Sequence, residues 1–342
     1  TVPVTDGTVR LSVPSGFKGQ IYAEGFDNAG NSSSEVTPRA FVIDDSAPAI
    51  ELLDENSTSY AAAEGNALYV SDISITVSIT DQVSGIREII YSHTSEKSKA
   101  DKKITLNNTG YRTGDQLDDG WVVEETDENL VTKVSRTFVY DSDDNDIVLS
   151  VSATDRAGNE AETVSSRCFT IDKTEPVIDV TFRDDDDSDP YYNADWIADV
   201  TVTERNFDAG LIKAVIQNEI GDVPDVTFSK LSKDEYTAVI VFDEGDYTFR
   251  MEGTDLGGHQ ADVRYSGGNE QLFYVDKTSP AVTENFIQFS SPETENCFNE
   301  EKTVTISVTE HHFDPNLMGL RIYEKEAGAE HSADGMTDVT DS

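Results

Sequence analysis

Three short markers recur three times along this chain, always in the same order, and that regularity limits the fold more than any other feature. Phe26-Asp27-Asn28-Ala29-Gly30-Asn31 returns as Thr154-Asp155-Arg156-Ala157-Gly158-Asn159 and, more loosely, as Thr254-Asp255-Leu256-Gly257-Gly258-His259. Downstream of each comes Ile43-Asp44-Asp45-Ser46-Ala47-Pro48, Ile171-Asp172-Lys173-Thr174-Glu175-Pro176 or Val275-Asp276-Lys277-Thr278-Ser279-Pro280. The third marker is Val77-Ser78-Ile79-Thr80-Asp81, Val200-Thr201-Val202-Thr203-Glu204 or Ile306-Ser307-Val308-Thr309-Glu310. The last two of these continue alike, as Arg205-Asn206-Phe207-Asp208 and His311-His312-Phe313-Asp314. The prolines at 48, 176 and 280 set periods of 128 and 104 residues, which are domain lengths rather than solenoid repeats of roughly 20–50 residues. The sequence therefore predicts the C-terminal part of one domain (1–48), two whole domains (49–176 and 177–280) and the N-terminal part of a further one (281–342). Domain 49–176 carries an insertion near 94–130.

Within each repeat the hydrophobic period is two, the signature of strands with one face to a core and one to water. Ile73, Ile75, Val77 and Ile79 alternate with Ser and Thr, the matching positions of the next repeat are Trp196, Ala198, Val200 and Val202, and Val304, Ile306 and Val308 fill three of them in the last. Such patterning predicts an all-β chain of antiparallel β-sandwiches with about seven strands each. The Asp-x-Ala-Gly-Asn segments read as hairpin turns in which Gly or Asn takes a positive φ. At each Asp-x-x-x-Pro junction a strand ends and the proline opens the next domain without being asked for a ladder hydrogen bond. Junctions that short predict an elongated, monomeric rod.

The Thr-Asp-x-Ala-Gly-Asn turn, the Ile-Asp-x-Thr-x-Pro junction and the Thr-Glu-x-x-Phe-Asp segment resemble the tandem immunoglobulin-like repeats of Gram-positive bacterial cell-surface proteins. The resemblance covers essentially the whole chain. It implies an extracellular location and a stalk or adhesive role, with catalysis rarely carried inside the repeats. The chain departs from the pattern at Gly257 and His259, where the other turns have Ala and Asn. The Cys…Trp…Cys spacing of antibody domains is absent, which argues against the animal immunoglobulin superfamily.

Charge narrows the partners. With 25 Lys+Arg against 67 Asp+Glu the chain carries a formal −42, a field that repels phosphate backbones and anionic lipid heads, so neither nucleic acid nor a membrane surface is expected to bind. No apolar run approaches the ~20 residues of a membrane span. Thr1 opens without an initiator Met or a signal sequence, and is expected to be an interior position of a longer chain. Cys168 and Cys297 fall in different domains, so no disulfide-stapled scaffold is predicted, and Cys168 is expected to be a buried thiol.

The same acids become candidate ligands once placed on an immunoglobulin-like strand order. The loops after the second and sixth strands would meet the junction aspartate at one end of each sandwich. Asp44, Asp81 and Asp155 would converge in one repeat; Asp172, Glu204 or Asp208, and Asp255 in the next; and Asp276, Glu310 and Asp314 in a third. Hard oxygen ligands in such number suit Ca²⁺; the alternative is that each Asp merely caps its turn. Asp141-x-Asp143-x-Asn145 imitates an EF-hand start but lacks the Gly and the closing Glu, and reads as a hairpin turn. His311 and His312, as neighbours on a strand end, are expected to point to opposite sides and not to share an ion. Asp184–Asp187 with Asp189 reads as a solvated loop.

No His-Glu-x-x-His, Gly-x-Ser-x-Gly or phosphate-cradling loop occurs, so no enzyme is expected. The chain is read as a stalk or adhesin segment, spacing or presenting a distal domain. The alternatives are a module binding glycan or host protein, with Tyr111, Trp121, Tyr191 and Tyr192 as a stacking platform, or an accessory region of a secreted polysaccharide-degrading enzyme.

Overall fold

Alternation of buried and exposed side chains along the strands builds the molecule. In the computed structural model, which describes residues 7–56, 59–60, 65–106, 110–183, 190–266, 271–285, 301, 303, 305–319, 323–325 and 336–338, the regular structure is all β, with two short 3₁₀ turns and no α-helix among the described residues. No helix there is long and apolar enough to cross a membrane. Asp184–Asp187, Asp189, Cys297 and Val304 lie outside the described residues. The chain separates into two compact units: Thr1–Val177 with Glu204–Ile212 and Gly253–Asp262, and Ile178–Thr203 with Lys213–Glu252 and Val263–Ser342.

The first unit opens with β1 (Lys18–Gly19), β2 (Tyr22–Phe26), β3 (Ser32–Val36) and β4 (Phe41–Val42), which form two-stranded ladders β1–β4 and β2–β3. Ten further strands follow: β5 (Ala49–Leu53), β6 (Ala67–Tyr69), β7 (Ile73–Thr80), β8 (Ile86–Thr94), β9 (Lys99–Thr105), β10 (Val122–Asp127), β11 (Leu130–Tyr140), β12 (Asp144–Asp155), β13 (Val164–Ser165) and β14 (Phe169–Ile171). One sheet runs β10-β11-β7-β5; the other runs β6-β14-β12-β8-β9, with β13 beside β12. Pairing is antiparallel except between β14 and β6, where Phe169, Thr170 and Ile171 run parallel to Ala67, Leu68 and Tyr69. Ile75, Val77, Ile79, Val134 and Phe138 from one sheet and Ile89, Leu149, Val151 and Phe169 from the other belong to a single buried cluster.

Segment 94–130 contributes Ile104, Leu106, Trp121 and Val123 to this core. Its ends are the edge strands β9 and β10, and Trp121 between them is fully buried, with its ring centroid 6.1 Å from that of Tyr91 and 6.3 Å from that of Phe138. Tyr111 is partly buried against the same cluster. Trp121 and Tyr111 therefore cannot serve as an exposed platform. Residues 141–143 differ from expectation too: they join β11 to β12, which lie in different sheets, so the segment crosses between layers instead of closing a hairpin. Cys168 is only half-buried, just ahead of β14.

The second unit holds β16 (Tyr191–Tyr192), β17 (Trp196–Thr203), β19 (Ser229–Lys230), β20 (Glu235–Phe242) and β23 (Gln271–Val275), and all but one terminal residue of β15 (Val177–Phe182), β18 (Ile212–Asn218), β21 (Gly245–Gly253) and β22 (Asp262–Tyr265). Their sheets run β19-β20-β17-β15-β22 and β16-β23-β21-β18. Trp196, Ala198, Val200 and Val202 are all buried, as the period-two pattern requires. Trp196 stacks on Phe182 at 4.0 Å within its own sheet and meets Phe273 of the other sheet at 4.3 Å. Tyr191 and Tyr192 pair parallel with Tyr274 and Val275. The strands β24 (Ala281–Asn285) with β25 (Thr305–Thr309), and β26 (Tyr323–Lys325) with β27 (Met336–Asp338), form two separate ladders.

Because Trp121 is enclosed on all sides, Trp121→Ala is expected to cost about 3–5 kcal/mol in denaturant unfolding, the usual range for deleting a buried aromatic. A surface platform residue would leave the unfolding midpoint almost unchanged.

Candidate functional site

The recurring Asp-x-x-Gly-x turn is built the same way three times. Oδ1 of Asp27 accepts from the amides of Ala29 (2.9 Å) and Asn31 (2.8 Å), and Oδ1 of Asp155 from those of Gly158 (2.6 Å) and Asn159 (2.8 Å). Asp255 Oδ1 accepts from the His259 amide at 2.9 Å. The other carboxylate oxygen takes the side chain four residues on: Asn31 Nδ2 at 2.6 Å, Asn159 Nδ2 at 2.7 Å, and His259 Nδ1 at 2.7 Å. Gly30, Gly158 and Gly258 sit at φ of 88°, 99° and 87°, which a residue with a Cβ rarely adopts. His259 thus fills the place of Asn without changing the turn.

In the first unit Asp155, at the end of β12, comes together with Asp81, which follows β7, and Asp44, which follows β4. One oxygen from each lies within 4.8 Å of the others. Asp81 Oδ1 gathers the amides of Val83 (3.2 Å), Ser84 (2.9 Å) and Gly85 (2.6 Å). Asp44 Oδ2 accepts from the Ser84 amide at 3.1 Å, and Asn159 Nδ2 also donates to the Asp44 carbonyl at 3.1 Å. Asp172, Glu204 and Asp255 make a second group in the same unit, with the same spacing limit. Here Asn206 Nδ2 donates to Asp172 Oδ2 and the Asn206 amide to Glu204 Oε1, both at 2.6 Å. Asp81, Asp155, Asp172, Glu204 and Asp255 are buried. Among the described residues the one side-chain cation within ion-pair distance of either group is His259, and only when protonated.

Burial and mutual repulsion show in the acidities. Burial raises the Asp81 carboxyl above its ordinary value, the Gly85 amide pulls it back, and the charges of Asp44 and Asp155 push it up again. Glu204 is pushed up to about 6, chiefly by burial, with Asp172 and Asp255 adding to it. His259 is raised by its bond to Asp255. An oxygen-only set of this kind suits a hard cation, since each carboxylate oxygen keeps lone pairs beyond those given to amides.

The remaining candidates are placed elsewhere. Asp208 Oδ1 caps its own loop through the Gly210 amide at 2.8 Å and is not in the group with Asp172. Asp276, Glu310 and Asp314 do not meet one another. Asp276 Oδ1 accepts from Thr278 and its Oδ2 faces His312 Nδ1 at 3.2 Å. Glu310 curls back to the His311 amide at 2.6 Å, and Asp314 caps the 3₁₀ turn Pro315–Leu317 through Asn316. The two histidines do not diverge as strand neighbours would. Strand β25 ends at Thr309, and both rings reach Asp246, His311 Nε2 at 3.0 Å from Oδ2 and His312 Nε2 at 3.0 Å from Oδ1.

Asn159, Asn206 and Asp246 do not stand out as site residues in the sequence. The first two lie inside the recurring markers and were there to be read; Asp246 has no counterpart in them. No model of a known protein family matches the chain, and no curated protein matches it.

The raised Glu204 pKa has a signed consequence. Because protonation is easier in the folded state, its stabilising contribution is fully present below the ordinary value of 4.5 and is lost as pH rises through about 6. Melting in EDTA is expected to occur at higher temperature near pH 5 than near pH 7 as far as this group is concerned, and Glu204→Gln is expected to flatten that difference and raise the neutral-pH melting point. A pH slope identical in the variant would assign the effect to other groups.

Proposed function

We propose that this chain is a segment of a non-enzymatic extracellular arm whose loop-end carboxylates bind Ca²⁺. The arm consists of tandem immunoglobulin-like β-sandwiches with boundaries near 48, 176 and 280, and serves as a stalk that spaces or presents a distal domain at a bacterial cell surface. The observation that carries the reading is the pair of three-carboxylate groups, in register on the repeat and largely out of water. Buried charge without compensation is costly, and a divalent cation converts the repulsion into coordination. The two-layer sheets, the short junctions and the resemblance of the markers to Gram-positive surface repeats support the architectural part.

Melting curves test the cation. Saturating Ca²⁺ at about one hundred times its Kd stabilises a folded protein by ~2.7 kcal/mol, several degrees for a domain of about 100 residues. Asp155→Asn keeps an acceptor for the turn amides but removes a charge, so the calcium-dependent shift should shrink by more than half. Equal curves in calcium and EDTA would end the calcium reading.

Small-angle scattering tests the rod. A radius of gyration near the ~20 Å expected of a compact chain of this length would refute it; a much larger value with an elongated distance distribution is expected.

A further inference from the structure

Within the second unit, one pair of shielded polar atoms lacks the hydrogen bond its chemistry calls for. His312 Nε2 and Asp246 Oδ1 lie 3.0 Å apart, are closed off from solvent, and make no hydrogen bond of acceptable geometry. On the other side of the same ring, Nδ1 faces Asp276 Oδ2 at 3.2 Å. When Nδ1 carries the proton toward Asp276, Nε2 turns a lone pair onto a carboxylate oxygen, so two acceptors face each other. His311 Nε2 approaches the second oxygen of the same carboxylate at 3.0 Å. The chosen ligand atoms of Asp246, His311 and His312 all fall within 4.8 Å of one another.

Neighbouring donors about 3 Å apart match the edge of a coordination shell whose bonds are about 2.0–2.2 Å long, the lengths zinc makes to imidazole and carboxylate. The donor set separates this group from the two oxygen-only clusters: imidazole nitrogen suits Zn²⁺ and its neighbours in the transition series, and Ca²⁺ prefers oxygen. A carboxylate on the far nitrogen of a ligating histidine is the usual outer contact that fixes the tautomer and the ring, and Asp276 stands in that place. His311 remains 55% exposed at its side chain, and the histidines border a cleft shared with Tyr191, Asp195 and Trp196, so water has access to complete the shell.

We propose that Asp246, His311 and His312 bind a transition-series divalent cation of the zinc class, with Asp276 as the positioning residue that orients His312. The site is independent of the calcium groups in residues and in donor chemistry. The competing account is a proton: His312 as an imidazolium held between two carboxylates, with no metal.

Calorimetric titration of the whole chain with Zn²⁺, in excess Ca²⁺ to occupy the oxygen-only groups, separates the two. One equivalent of Zn²⁺ is expected. His311→Ala removes a largely exposed ring without disturbing the core, and is expected to weaken binding at least about tenfold. Asp246→Asn should do the same, and Asp155→Asn should leave the zinc titration unchanged. Co²⁺ in place of Zn²⁺ should give a visible d–d spectrum that His311→Ala abolishes. Asp276→Asn should lower affinity by roughly ten- to hundredfold while the cobalt spectrum persists, an outcome a merely structural role would not produce. Failure to take up Zn²⁺, or uptake untouched by both His311→Ala and Asp246→Asn, would overturn the site in favour of the imidazolium; unchanged affinity in Asp276→Asn would remove its positioning role.

Discussion

A carboxylate that accepts the chain's own amides at the end of a strand is the interaction on which the rest of this structure depends. Asp27, Asp155 and Asp255 each close a tight turn by taking one or two backbone N–H groups on one oxygen and a side chain on the other. Those amides point into the turn, where an unmet donor is costly, and a charged acceptor meets them more strongly than a neutral one. At Asp155 and Asp255, which are buried, the same choice brings negative charge to a place with little water. When Asp81 does likewise for Val83, Ser84 and Gly85, two such turns set their charges side by side, and Asp44 adds a third. The fold and the candidate site are thus one arrangement: what closes the loops also creates the electrostatic problem.

The two oxygen-only groups solve the geometry with different parts. Glu204 stands where Asp81 stands, with one more methylene, and reaches from a loop in which Asn206 serves both Asp172 and Glu204. His259 stands where Asn159 stands, so the second group holds a side chain that changes charge near neutral pH while the first holds one that never does. Electrostatically the two are unequal even though their turns superimpose in logic.

Much of this was legible in the sequence because it is local or periodic. Alternation along Ile73–Thr80 and Trp196–Thr203 marks the buried faces, the Gly of each turn marks its positive φ, and the fixed order of the markers was enough to bring Asp44 to Asp81 and Asp155 in expectation. What escaped depends on partners that local pattern does not name. Trp121 sits in the Gly- and Asp-rich insertion near 94–130, where it reads as a candidate platform residue, yet it packs against Tyr91 and Phe138. Residues 141–143 look like a turn from either side, and only the sheet assignment of β11 and β12 reveals a crossing. His311 and His312 read as neighbours on a strand, but β25 stops two residues earlier, and Asp246 lies 65 residues from His311 in the chain with no recurring marker to announce it.

The parallel pairs β6–β14 and β16–β23 have a mechanical meaning. In each, a strand from early in its repeat lies beside the last strand, and both run in the same direction. Tension applied between Ala67 and Ile171 enters β6 at its leading end and leaves β14 at its trailing end, so it reaches opposite ends of one ladder. The hydrogen bonds of that ladder are then sheared together, where an antiparallel hairpin pulled at its open end would give way one bond at a time. Short as they are, three residue pairs in one repeat and two in the other, these ladders lie in the path of any load the chain transmits.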